Sequence, residues 1–72
     1  MRGMLDCILN AIEEARKAEG KTINIGILKY TIRYMDGMYF LLIDESEVLA
    51  TADGQLYIST IAKVFLTIIK EA

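Results

Sequence analysis

Cys7 is the only thiol in this chain, and there is no histidine. A nucleophilic cysteine needs its pKa lowered by a cation, a base or a helix N-terminus. Cys7 lies near the start of an amphipathic stretch, but Asp6 beside it opposes a thiolate and no imidazole is available to activate it. It therefore reads as a small apolar packing residue, the usual role of a free cysteine. One cysteine and no histidine leave neither an internal disulfide nor a zinc-ligand pattern.

Asp44, Glu45 and Glu47 form the one carboxylate cluster. Calcium and magnesium take such oxygens, so any metal reading rests on these three residues. Their spacing does not match an EF-hand loop, and no glycine stands where that loop requires one. A paired general acid and base would also need a pocket to separate two pKa values. A solvated acidic turn is the expectation. The basic residues Arg2, Arg16, Lys17 and Lys21 are interleaved with Glu13, Glu14 and Glu19. That mixture describes a solvated helix end rather than a phosphate-binding patch.

Tyr30, Tyr34, Tyr39 and Tyr57 are the remaining candidates, since aromatic side chains stack bases in RNA-binding sheets. Here Tyr34 and Tyr39 are predicted to face each other across a hairpin, which makes them a structural pair. The net charge is −2 and the pI about 4.9. Nucleic-acid modules carry a basic excess because phosphate contacts dominate their affinity, so no nucleic-acid partner is expected. No P-loop, dinucleotide fingerprint or nucleophile elbow occurs. No catalytic or cofactor-binding residue emerges, and the expectation is a protein that is not an enzyme and carries no cofactor.

The elements that would position these residues follow from periodicity. Leu5, Ile8, Leu9, Ile12 and Ala15 recur at three- and four-residue steps, which predicts a helix over Met4 to Glu19, with Gly20 as its stop. Asp36-Gly37, between Tyr34-Met35 and Met38-Tyr39, is a two-residue turn signal and predicts a β-hairpin over Thr22 to Asp44. Counting from that turn pairs Tyr34 with Tyr39, Ile32 with Leu41 and Tyr30 with Ile43. On the other face it pairs Arg33 with Phe40, Thr31 with Leu42 and Lys29 with Asp44. Within the first arm the apolar set changes phase, from Ile23, Ile25 and Ile27 to Leu28, Tyr30, Ile32 and Tyr34. A period-2 strand cannot bury both sets on one face, so a bulge or bend is expected at Gly26. Met38 to Ile43 is apolar throughout, which implies cover on both faces or a subunit contact.

Beyond the acidic turn, Val48 to Ala52 reads as a third strand. After Asp53-Gly54, Gln55 to Ile58 is read as a fourth, short strand, with a helix capped by Ser59 or Thr60. The alternative is a helix starting near Gln55 and capped by Asp53. In either version the final helix has a narrow polar stripe of Lys63, Thr67 and Lys70, and is apolar around most of the rest.

These elements make one α+β domain over residues 1–72, a small antiparallel sheet flanked by an N-terminal and a C-terminal helix. A 72-residue monomer that is 54% hydrophobic has more apolar material than its size readily hides. With disulfide and zinc unavailable, self-association is the expected remedy. The surplus apolar side of the last helix must be covered by the first helix or by a second copy. The predicted interface residues are Phe40, Leu42, Ile61, Phe65, Ile68 and Ile69. Asp6, Glu13 and Glu14 interrupt the first apolar stretch, so no signal peptide is expected. Ile61 to Ile69 is too short for a membrane span and holds Lys63. A cytoplasmic protein follows, which suits an unpaired Cys7.

The order helix, strands, helix is shared by many small α+β dimers, and layout alone does not specify function. The leading expectation is a non-catalytic homodimeric interaction or adaptor domain, whose partner is itself and conceivably another protein. The rival is a regulatory domain binding a small molecule at the subunit seam, lined by tyrosines with Met35 and Met38. A metal-dependent enzyme using Asp44, Glu45 or Glu47 ranks below both.

Overall fold

The computed structural model describes residues 3–54 and 57–71. Helix α1 spans Met4–Lys17, strands β1 to β4 span Thr22–Asn24, Tyr30–Met35, Met38–Ile43 and Ser46–Ala52, and helix α2 spans Ile58–Glu71. The strands form one four-stranded sheet in the order β1-β2-β3-β4, and every neighbour is antiparallel. The architecture is α+β, with a helix at each end of the chain.

Helix α1 buries Ile8, Ala11, Ile12 and Ala15, while Asp6, Asn10, Glu13 and Lys17 face solvent. It ends two residues earlier than its periodicity suggests. The Ala18 amide still bonds to the Glu14 carbonyl, and Gly20 then takes a φ of +89°.

The β2–β3 hairpin has the register that counting from Asp36-Gly37 requires, from Tyr30 opposite Ile43 to Met35 opposite Met38. Asp36 and Gly37 have φ of +53° and +75°, the mirror-image turn that matches strand twist. The ladder stops at Tyr30–Ile43, so Lys29 and Asp44 do not form the expected cross-strand pair.

The first arm departs from expectation in a larger way than a bulge. The chain reverses completely at Ile25-Gly26-Ile27-Leu28, where the Leu28 amide donates to the Ile25 carbonyl at 3.0 Å and Gly26 has a φ of +56°. A reversal resolves the phase conflict better than a bulge does. It lays Ile23 beside Ile32 on one face, buries Ile25 and leaves Ile27 fully exposed at the tip.

Strand β4 begins at Ser46 rather than Val48, because Asp44 and Glu45 alone make the turn, with φ of +49° and +67°. The β3–β4 register shifts between Leu41 and Leu42: Leu41 faces Leu49 while Leu42 faces Glu47, so Val48 is the extra residue of a bulge. The expected strand over Gln55–Ile58 is not formed at its described end. Tyr57 is outside any strand and Ile58 is already helical; Gln55 and Leu56 lie outside the described residues. The Tyr57 carbonyl accepts from the amides of Thr60 and Ile61, so neither Ser59, Thr60 nor Asp53 opens this helix as a cap.

Both helices lie on one face of the sheet. Ile8, Ala11, Ile12 and Ala15 from α1 and Ile61, Ala62, Phe65 and Ile69 from α2 share one buried cluster with Ile25, Tyr30, Ile32, Tyr39 and Leu41. The first helix is thus the cover for the apolar side of α2, whose Lys63, Thr67 and Lys70 face solvent. Among the described residues no helix is long and apolar enough to cross a membrane.

Candidate functional site

Strand alternation assigns every sheet residue to a face. The row Ile23–Ile32–Leu41–Leu49 points to the helices, and all four belong to or pack against the buried cluster. The alternate rows point away. They are Thr22–Arg33–Phe40–Ala50, Asn24–Thr31–Leu42–Glu47 and Met35–Met38–Ala52. No described helix covers this second face.

The open face is divided in composition. Its β1–β2 side carries Thr22, Asn24, Thr31 and Arg33. Its β3–β4 side carries Met38, Phe40, Leu42, Ala50 and Ala52 with Glu47 at one end, and Met35 closes the β2 side. Phe40 and Met38 are half-buried, and Ala50 and Ala52 on the edge strand are small enough to let another backbone approach. Leu42 is buried although it lies outside the helix-side cluster. Arg33 is fixed by two hydrogen bonds from its guanidinium to Thr22 Oγ1, at 2.9 and 3.3 Å.

Of the residues predicted to form an interface, only some have surface to offer. Ile61, Phe65, Ile69 and Leu42 are buried within the chain itself. Phe40 and Ile68 are half-buried, on the sheet face and on α2 respectively. The open face also brings in Met38, Ala50, Arg33 and Glu47. Their signal in the sequence was the alternation opposite the predicted Ile32–Leu41 pair, but the β4 register needed the bulge at Val48, which no residue type announces.

At the turn end of the β2–β3 hairpin, sequence reasoning missed a polar cluster centred on Asp53. Tyr34 donates its hydroxyl to Asp53 Oδ2 at 3.0 Å, Arg16 Nη2 lies 3.6 Å from the same oxygen, and the Asp53 amide donates to the Gly37 carbonyl at 2.7 Å. The Tyr34 and Tyr39 rings are 4.7 Å apart at 46°. The hydrogen bond to Asp53 raises the Tyr34 pKa above its ordinary value, with desolvation and the Asp53 charge adding to it. Tyr39 is raised chiefly by burial and then by Asp53, with Arg16 pulling it back. Among the described residues the buried Tyr39 hydroxyl has no hydrogen-bond partner. The cluster ties the end of α1 and the end of β4 to the hairpin.

At the opposite end of the hairpin, Met4, Leu28, Tyr30, Ile43 and Ile69 line a cavity of about 400 Å³, with Lys29 as its one charged lining residue. Of the tyrosines and methionines expected to line a ligand site, Tyr30 lines this cavity, whereas Tyr34, Tyr39, Met35 and Met38 lie at the other end. Asp44, Glu45 and Glu47 are all exposed, and among the described residues no group of three potential ligands converges on a metal position. Cys7 is partly buried against the core, as a packing residue.

Fold and surface together define a small α+β domain that uses one sheet face for its core and presents the other. Comparison with protein-family models, with curated proteins and with solved structures finds no match.

Proposed function

We propose that this chain is a non-catalytic, cytoplasmic interaction domain that works as a homodimer, with the helix-free sheet face as its contact surface. The observation that supports this reading is the apolar strip of Met38, Phe40, Ala50 and Ala52, half-buried around the buried Leu42 on a face that no described helix covers. Sheets buried on both faces read as continuous apolar runs; Met38–Ile43 is such a run, and no described helix lies over its Met38–Phe40–Leu42 face. A two-fold copy is the economical cover, because one patch then satisfies both protomers. Size-exclusion chromatography with light scattering tests it: a mass near twice 8.1 kDa is expected, and a monomer mass at high micromolar concentration would refute it.

The cavity beside Lys29 favours a second reading, a regulatory domain for a small apolar anion. Its volume lies within the range of ligand sites. Saturable binding of a fluorescent fatty acid, lost in Ile43→Trp, would favour that reading over a purely structural adaptor.

A further inference from the structure

We propose that two symmetry-related ion pairs, Arg33 of each protomer with Glu47 of the other, set the orientation of a second copy on the open sheet face. This rests on the homodimer reading above.

Arg33 is the one cation and Glu47 the one anion that the four strands place on this face. They stand on either side of the apolar strip. Arg33 lies on β2, opposite Phe40 on β3, and Glu47 lies on β4, opposite Leu42. Strands are about 4.8 Å apart and residues on one face repeat every ~7 Å, which puts the two Cα atoms ~12 Å apart within one chain. Both side chains rise from the same face rather than toward each other, and among the described residues neither has a charged partner. The Thr22 hydrogen bonds hold the Arg33 guanidinium in place without neutralising it.

Symmetry supplies the partners. A two-fold axis running along β3 exchanges the two sides of the sheet, so β2 of one copy lies over β4 of the other. Phe40 then meets its own counterpart at the centre, over the buried Leu42. Arg33 comes over the β4 strand of the other copy, within one same-face step of its Glu47. Packed sheets stand about 10 Å apart, a gap that an arginine and a glutamate span together. Other rotations in the plane bring Arg33 over β2 or Glu47 over β4, where like charges oppose each other. The pairs therefore select the arrangement more than they drive association.

Charge reversal tests this, with dissociation constants from sedimentation equilibrium and folding checked by circular dichroism. Arg33→Glu and Glu47→Arg should each weaken the dimer at least tenfold, and the double variant should return to within about threefold of wild type. Glu47→Arg leaves the Thr22 contacts intact, so its effect is separate from any loss of folding in Arg33→Glu. A dimeric wild type whose single variants dimerise equally well, or whose double variant fails to recover, overturns the ion pairs and leaves the homodimer standing. A wild type that is monomeric throughout overturns both.

Discussion

Glu45 holds a φ of +67° in a turn where it follows Asp44 at +49°. A residue with a Cβ is disfavoured in that region, whereas glycine is not. Among the described residues no hydrogen bond or ion pair compensates Glu45, and it is exposed. Glu45→Gly should therefore raise stability by about 0.5–1 kcal/mol, read as a higher midpoint in urea. No change, or a loss, would mean that the carboxylate has a role at this turn. The tyrosine pair gives a second test at this scale. Both tyrosines have pKa values raised above the ordinary 10.0. The unfolded chain therefore loses these protons first. Their contribution is complete below about pH 10 and is lost as pH rises through the higher folded values. The melting temperature of wild type should thus fall more steeply between pH 9 and 11 than that of Tyr34→Phe/Tyr39→Phe. Equal slopes would contradict the proton accounting. The acidic turn and the tyrosine pair were legible from residue type and from the count across Asp36-Gly37. The tie to Asp53 was not, because it joins residues 16, 34 and 53 through the tertiary fold.

The helices and the β2–β3 hairpin were legible because each is written in a local period. The bulge or bend expected at Gly26 is there as a full reversal, whose extent was not legible because a bulge, a bend and a reversal share the same signal of a glycine between two apolar phases. The decision lies in pairing Ile23 with Ile32, a contact nine residues apart that one-dimensional alternation does not contain. The last helix was read as having a surplus apolar side, and α1 covers much of it. That changes what its residues can report. Phe65 is wholly buried in the chain, so Phe65→Ala should cost about 3–5 kcal/mol as a cavity. In so small a domain that means a chain largely unfolded at 37 °C, as circular dichroism would show. A folded Phe65→Ala monomer would instead mark this ring as an interface side chain.

As a whole, the chain exposes 4721 Å², close to the ~4,500 Å² ordinary for a compact protein of this mass. Its core hides fourteen apolar residues, and the large apolar side chains left exposed among the described residues are scattered, with Ile27 and Tyr57 off the sheet face and Met35 and Val48 on the strands. Strands of three to seven residues present roughly 350 Å² in plan, below the ~800 Å² per partner of a standard stable interface. If the proposed dimer uses this face, it should be weak, in the micromolar range rather than tighter. Phe40 is the side chain that distinguishes fold from assembly, since it lies on the open face, half-buried, directly opposite Arg33. An aspartate there faces a guanidinium, which the single chain tolerates and an apolar contact between copies does not. Sedimentation equilibrium from about 1 to 200 μM, on wild type and Phe40→Asp, is the most direct measurement. The homodimer account predicts a concentration-dependent dimer for wild type and a folded monomer for Phe40→Asp. A wild type that stays monomeric and fully folded across that range would contradict it.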